Sequence, residues 1–151
     1  MTDPQSSTFV YVTYIRTTPE KLWSALTDPA FMRHYWFGMH IDTDWQTGSA
    51  WALRFIDGRT ADFGEVLECD PPKRLVLTWQ NQWKPEFAAE GAARCAMDLE
   101  PVDGTMKLTI THSIDRPNSG LIGAVSGGWP KILSNLKSLL ETGEVALQPT
   151  G

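Results

Sequence analysis

The chain has 151 residues, of which 42% are hydrophobic and 21% are charged. This length fits one hydrophobic core, and this apolar content excludes an intrinsically disordered protein. Thirteen Lys and Arg against 18 Asp and Glu give a net charge of −5, which argues against nucleic acid as a partner because phosphate binding needs clustered basic residues. No apolar run approaches the ~20 residues of a membrane span, and residues 1–7 lack the regions of a signal peptide, so we expect a cytoplasmic protein.

The hydrophobic pattern predicts one strand and two helices near the start of the chain. Phe9–Arg16 is rich in β-branched and aromatic residues, which is typical of a strand. Thr17–Glu20 has the capping residues and the early proline of a helix start, and Asp28-Pro29 ends that helix. A short second helix is predicted over 31–35.

The middle of the chain predicts a meander of antiparallel strands. Dipeptides such as Asp57-Gly58 and Asp103-Gly104 are typical of tight turns, which favour hairpins over helical crossovers. A homodimer stays open, through a sheet edge at Ser49–Ile56 or through an exposed Trp, although nothing in the sequence requires one. The predicted strands are Met39–Thr43, Ser49–Ile56, Ala61–Cys69, Arg74–Trp83, Ala92–Glu100 and Thr105–Ser113.

The last part of the chain carries one apolar stripe at helical spacing. It predicts a helix of about four turns with Pro130 near its start and Gly143 just past its end. The glycine-rich run 123–128 is predicted to be a flexible rim before that helix. The stripe consists of Trp129, Ile132, Leu133, Leu136, Leu139 and Leu140. The order of elements predicts an α+β fold in which an antiparallel sheet wraps against the C-terminal helix. We expect one domain over 8–145, with flexible termini at 1–7 and 146–151.

Several short motifs resemble those of the SRPBCC superfamily (START/Bet v 1-like), and within it the branch called activator-of-Hsp90-ATPase homologue 1-like. The motifs cover about residues 9–143 and include TPEKLW at 18–23, GEVLE at 64–68, DPPKRL at 70–75, KLTITHS at 107–113 and GWPKIL at 128–133. The resemblance implies a helix-grip fold, a curved sheet around a long C-terminal helix with two short helices after the first strand. It also implies a ligand cavity.

Seven Trp, six Phe and three Tyr are more aromatic residues than a core of this size needs, and they suggest the lining of a cavity. We expect this cavity between the sheet and the last helix, with Trp36, Trp83, Pro85 and Phe87 near its mouth. Strand and helix periodicity assigns its wall to Trp51, Phe55, Phe63, Trp79, Ile110, Trp129 and Leu133.

Two polar residues are candidates within this wall. His112 shares the apolar face of its strand, where the neighbours Leu108 and Ile110 predict a lowered imidazole pKa. Glu65 falls in an apolar row unless a bulge beside Gly64 turns it to solvent. The histidines lack the spacing of metal ligands, so neither a metal nor another cofactor is expected.

Three functions remain open from the sequence. The first is a small protein that binds an apolar or amphipathic small molecule, with His112 and Glu65 as polar anchors. The second is a cyclase- or hydrolase-like enzyme that uses His112 as general acid or base. The third is a protein-interaction module, similar to a co-chaperone, in which the cavity is only a packing feature.

Overall fold

The structure, a computed structural model, describes residues 6–147. The described chain forms seven strands and four helices around one core. In chain order they are β1 (Ser7–Ile15), α1 (Pro19–Thr27), α2 (Pro29–Tyr35), β2 (His40–Asp42), β3 (Ala50–Arg54), β4 (Thr60–Asp70), β5 (Arg74–Asn81), α3 (Pro85–Ala88), β6 (Ala93–Val102), β7 (Thr105–Ile114) and α4 (Gly120–Thr142). The predicted α+β class and the helix-grip arrangement are confirmed.

All seven strands belong to one antiparallel sheet with the order β1-β7-β6-β5-β4-β3-β2. The two edges are therefore β1 and β2. The prediction that Ser49–Ile56 forms an edge is wrong, because the three residues of β2 pair with β3 and cover it.

Of the two helices after β1, α1 begins after a predicted capping residue, whereas α2 is capped by Asp28, which was predicted only to end α1. The Thr18 hydroxyl accepts a hydrogen bond from the Lys21 backbone N–H at 3.2 Å, and the Asp28 carboxylate accepts one from Ala30 at 3.0 Å. Pro19 and Pro29 occupy the first turns, where a missing N–H costs nothing. The predicted start of α1 is confirmed, and α2 begins at Pro29, two residues before its predicted first residue.

Helix α4 begins at Gly120, nine residues before the predicted start. The Ser119 hydroxyl caps it, and the Glu90 carboxylate accepts hydrogen bonds from the Gly120 N–H at 2.9 Å and from the Ser119 hydroxyl. A negative charge at this end of a helix is stabilising. The run 123–128, predicted as a flexible rim, is therefore helical, and Pro130 lies inside the helix. The predicted end is confirmed, because Gly143 adopts a left-handed φ of 86°.

The side chains of β4 that face the core are not the predicted ones. Its pairing is irregular between Leu53 and Arg54 on β3 and again between Val66 and Glu68. Between these points Asp62 and Val66 face the core, whereas Phe63 is 37% exposed and Glu65 is exposed on the outer face. The predicted place of Phe63 in the cavity wall is therefore wrong.

The predicted flexible termini lie partly outside the described residues, which exclude 1–5 and 148–151. Two residues of these termini are held in place. The Ser7 hydroxyl donates to the Arg116 carbonyl at 2.7 Å, and both backbone groups of Leu147 bond the buried Asn135 side chain, at 2.6 and 3.0 Å. Within 6–147 no helix has the length and apolar character needed to cross a membrane.

Candidate functional site

A pocket of about 200 Å³ lies between the sheet and α4. Strands β3, β4 and β5 supply one side, α4 supplies the other, and the segment from Trp83 to α3 borders it. Most of its lining side chains are apolar or aromatic. They are Trp36, Leu53, Asp62, Trp79, Asn81, Trp83, Lys84, Phe87, Leu121, Ala124, Val125, Gly128, Trp129 and Ile132.

Three buried tryptophans from different elements meet at this pocket. The ring centroids of Trp36 and Trp129 are 5.4 Å apart, those of Trp79 and Trp129 are 5.9 Å apart, and those of Trp36 and Trp79 are 6.5 Å apart. The rings of Trp79 and Trp129 meet edge to face, which suits the charge distribution of aromatic rings. Each ring holds the others, so this wall is preformed.

A more exposed aromatic group borders the pocket next to these three rings. Trp83 is 54% exposed, and Phe87 lies on the single turn of α3. The Lys84 ammonium lies 4.9 Å from the ring centroid of Trp83 and 5.4 Å from that of Phe87, within the range of a cation–π contact. The expectation that Trp83 and Phe87 lie near the pocket agrees with this placement.

Of the residues predicted to line the cavity, Trp36, Trp79 and Trp129 do so. Trp51 lies behind Trp79, with ring centroids 4.6 Å apart, and its indole N–H donates to the Thr78 carbonyl at 2.9 Å. Phe55 instead packs edge to face against Trp83. The predicted wall residues that are buried in the core outside the pocket lining are Ile110, His112 and Leu133.

His112 has no exposed surface and lies behind the tryptophans. Its Nδ1 accepts a hydrogen bond from the Trp129 indole N–H at 3.1 Å, so the proton of the neutral ring is on Nε2, which is buried without a partner. Burial lowers the pKa of His112 to about 4, in the direction expected from its apolar neighbours. The predicted partner Glu65 is exposed on the outer face.

These contacts do not support acid–base chemistry at His112. A general acid or base must reach a substrate proton, and this imidazole neither lines the pocket nor meets a carboxylate. Among residues 6–147, no group of three or more His, Cys, Asp and Glu side chains is arranged to hold a metal ion.

The carboxylate at the pocket is Asp62, which the sequence analysis missed. Asp62 and Asn81 are directly opposite on β4 and β5, and the Asn81 amide donates to the Asp62 carboxylate at 2.9 Å. Burial raises the pKa of Asp62 to about 6, although hydrogen bonds from Asn81 and Trp79 oppose the rise. Asp62, Gly64 and Val66 share one face of β4, and this alternation could have indicated Asp62. The sequence favoured the opposite face, which includes Phe63, because it contains more apolar residues.

The raised pKa of Asp62 predicts a penalty on folding at neutral pH. Between about pH 4 and pH 6 the folded protein holds a proton that the unfolded chain has lost, so stability falls as pH rises through this window. We expect Asp62→Asn to be about 1–2 kcal/mol more stable than the parent protein at pH 7 and equal to it at pH 4. Urea unfolding at both pH values measures this difference.

The matched control is Glu65→Gln, because Glu65 is an exposed carboxylate on the same strand. This variant should be as stable as the parent protein at pH 7, because the side chain that it changes is exposed. A loss of stability in Asp62→Asn at pH 7 would show that the carboxylate is needed in its charged form for folding.

The sequence is similar to that of a known protein family. The family model described as Activator of Hsp90 ATPase homolog 1-like protein matches residues 16–141. The chain belongs to this family. The family explains the order of elements around α4 and confirms the resemblance in the motifs.

Solved structures share the fold of this Activator of Hsp90 ATPase homolog 1-like protein. Protein MLL2253 from Mesorhizobium loti is 27% identical, with a TM-score of 0.77, over 92% of this chain and 100% of its own. The Aha1 dimer from Colwellia psychrerythraea is 22% identical, with a TM-score of 0.74, over 91% and 98%. PFC0360w, an Hsp90 activator from Plasmodium falciparum, is 22% identical, with a TM-score of 0.71, over 88% and 95%.

No curated protein matches the sequence. The family match and the solved structures establish the family and the fold. The choice among the functions that the sequence leaves open depends on the chemistry of the pocket.

Proposed function

We propose that this protein binds a small apolar or amphipathic molecule in the pocket between the sheet and α4. The observation that carries the proposal is the preformed aromatic wall of Trp36, Trp79 and Trp129 beside a few polar groups, Asp62, Asn81 and Lys84. Small-molecule sites commonly combine an apolar lining with a few polar groups that orient the ligand. The proposed place of action is the cytoplasm, where the free thiols of Cys69 and Cys95 stay reduced.

The volume of the pocket limits the size of the ligand. An engineered apolar cavity of roughly 150 Å³ in another protein holds benzene, so about 200 Å³ here accommodates one aromatic ring with a short substituent. A larger ligand would extend past Trp83, which is exposed at the border of the pocket.

Gly128 offers a way to fill the pocket without disturbing the core. It lines the pocket, and a Cβ added there would meet no atom within 4 Å. We expect Gly128→Leu to weaken binding of propylbenzene at least about tenfold, because the new side chain occupies the ligand's volume. Leucine favours a helix interior over glycine by roughly 0.5–1 kcal/mol, so the variant should fold.

The matched control is Gly127→Leu, one residue earlier on the exposed side of α4, where an added Cβ also meets nothing. Titration of labelled protein with propylbenzene, followed by the indole N–H signals of Trp36, Trp79 and Trp129, measures both variants. The proposal expects binding to the parent protein and to Gly127→Leu. The interaction-module hypothesis expects no binding to either protein.

A further inference from the structure

The polar side of the pocket has a fixed orientation. The Asn81 side-chain oxygen accepts a hydrogen bond from the Lys84 backbone N–H at 2.8 Å, so its NH₂ group faces Asp62. This arrangement ties the Asp62 carboxylate to β5 and leaves it at the pocket lining as an acceptor. A ligand that fits this position presents a hydrogen-bond donor.

Asp62 has no cationic partner among the side chains that the structure describes. The outer surface is different, because there Asp42 pairs with Arg54 at 2.9 Å and Glu68 with Arg74 at 2.8 Å. The one basic residue of the pocket lining, Lys84, directs its ammonium to the rings of Trp83 and Phe87 and forms no ion pair with Asp62 within 4 Å. A half-buried carboxylate without a cation is costly, and a ligand cation would remove that cost.

The aromatic wall favours the same charge. Ring faces attract cations most strongly where water is excluded, and tryptophan is the best of the aromatic residues for this contact. Three tryptophans converge here, and Lys84 already demonstrates that the adjoining rings of Trp83 and Phe87 accept an ammonium group. The net charge of −5 adds a general attraction for cations.

We propose that the pocket selects an arylalkylamine, with the ring against Trp36, Trp79 and Trp129 and a short arm that carries an ammonium group to the Asp62 carboxylate. This inference rests on the proposed function and adds the charge and polar group of the ligand. A neutral hydroxyl on the same arm would make one hydrogen bond but leave the carboxylate without a counter-charge. A carboxylate on the arm would face Asp62 with the same charge.

Three compounds of similar shape test this selection. They are 2-phenylethylamine, propylbenzene and 3-phenylpropanoate, which carry a cationic, a neutral and an anionic end. We expect the amine to bind the parent protein at least about tenfold more tightly than propylbenzene. The same indole N–H signals report the binding of each compound at one pH and one salt concentration.

Asp62→Asn keeps the shape of the side chain and removes its charge. We expect it to weaken binding of the amine at least about tenfold while its affinity for propylbenzene stays within about twofold. Glu65→Gln removes one charge from the outer face of the same strand and should leave both affinities unchanged. A loss of amine binding in both variants would assign the effect to net charge and overturn the role of Asp62.

The two proposals fail in different ways. If propylbenzene binds but the amine has no advantage, or if 3-phenylpropanoate binds best, the pocket binds ligands but the proposed selection of an arylalkylamine is wrong. If none of the three compounds binds the parent protein, both proposals are overturned together.

Discussion

Replacing Trp129 by alanine is expected to lower the free energy of unfolding by about 3–5 kcal/mol. The indole is 3% exposed, contacts the rings of Trp36 and Trp79, and lies on the side of α4 that faces the sheet. Alanine would leave a cavity at the junction of helix and sheet, and the surrounding rings can only partly close it. Urea unfolding followed by circular dichroism measures the loss.

The polar contact of Trp129 is separable from its packing. Trp129→Phe keeps an aromatic ring but removes the donor to His112 Nδ1, and a buried acceptor without a partner costs about 1–3 kcal/mol. We therefore expect the phenylalanine variant to fall between the parent protein and the alanine variant. His112 has an unpaired Nε2 already, so this variant would leave its ring with no hydrogen bond.

Trp83 provides the control of the same residue type. It is 54% exposed and borders the same pocket, so Trp83→Ala should change stability by less than about 1 kcal/mol. Equal losses in Trp83→Ala and Trp129→Ala would contradict the placement of Trp129 between α4 and the sheet. A Trp129→Ala variant as stable as the parent would do the same.

The start of α4 shows where prediction from sequence reached its limit. The cap at Thr18 lies directly before the helix that it starts, so a local pattern was sufficient there. The partner that stabilises the start of α4 is Glu90, 30 residues away in sequence from Gly120. Glycine has low helix propensity, and only this distant carboxylate, the Ser119 cap and the burial of Leu121 compensate for it.

The failure to predict Asp62 at the pocket has a similar cause. Side chains alternate along a strand, so one irregular residue transfers all the following side chains to the opposite face. Strand β4 has such irregularities at both ends of the segment that contains Asp62 and Glu65. The sequence placed Glu65 among the apolar residues of this strand, whereas in the structure Asp62 lines the pocket and Glu65 is on the outer face. Trp79 and Trp129 lie in the regular elements β5 and α4, and they face the pocket as strand and helix periodicity indicated.

Gly64→Ala is expected to destabilise the protein by about 3–5 kcal/mol, although the change adds only one methyl group. Gly64 lies opposite Trp51 on β3, and an added Cβ would be 2.0 Å from the Thr78 carbonyl oxygen and 2.8 Å from the Thr78 hydroxyl. That carbonyl accepts from the Trp51 indole, and that hydroxyl accepts from the Glu65 N–H. The methyl group would separate β4 from β5 and weaken both hydrogen bonds.

Two comparisons isolate this close approach. The double variant Gly64→Ala with Thr78→Ala removes the hydroxyl but not the carbonyl oxygen, so we expect no recovery of stability. Gly127→Ala makes the same substitution on exposed α4, where nothing lies within 4 Å of the new Cβ, and should raise stability by roughly 0.5–1 kcal/mol. If the backbone of β5 leaves no space for a side chain at Gly64, urea unfolding shows a loss of stability for Gly64→Ala and a gain for Gly127→Ala. Recovery in the double variant would instead assign the clash to the Thr78 side chain.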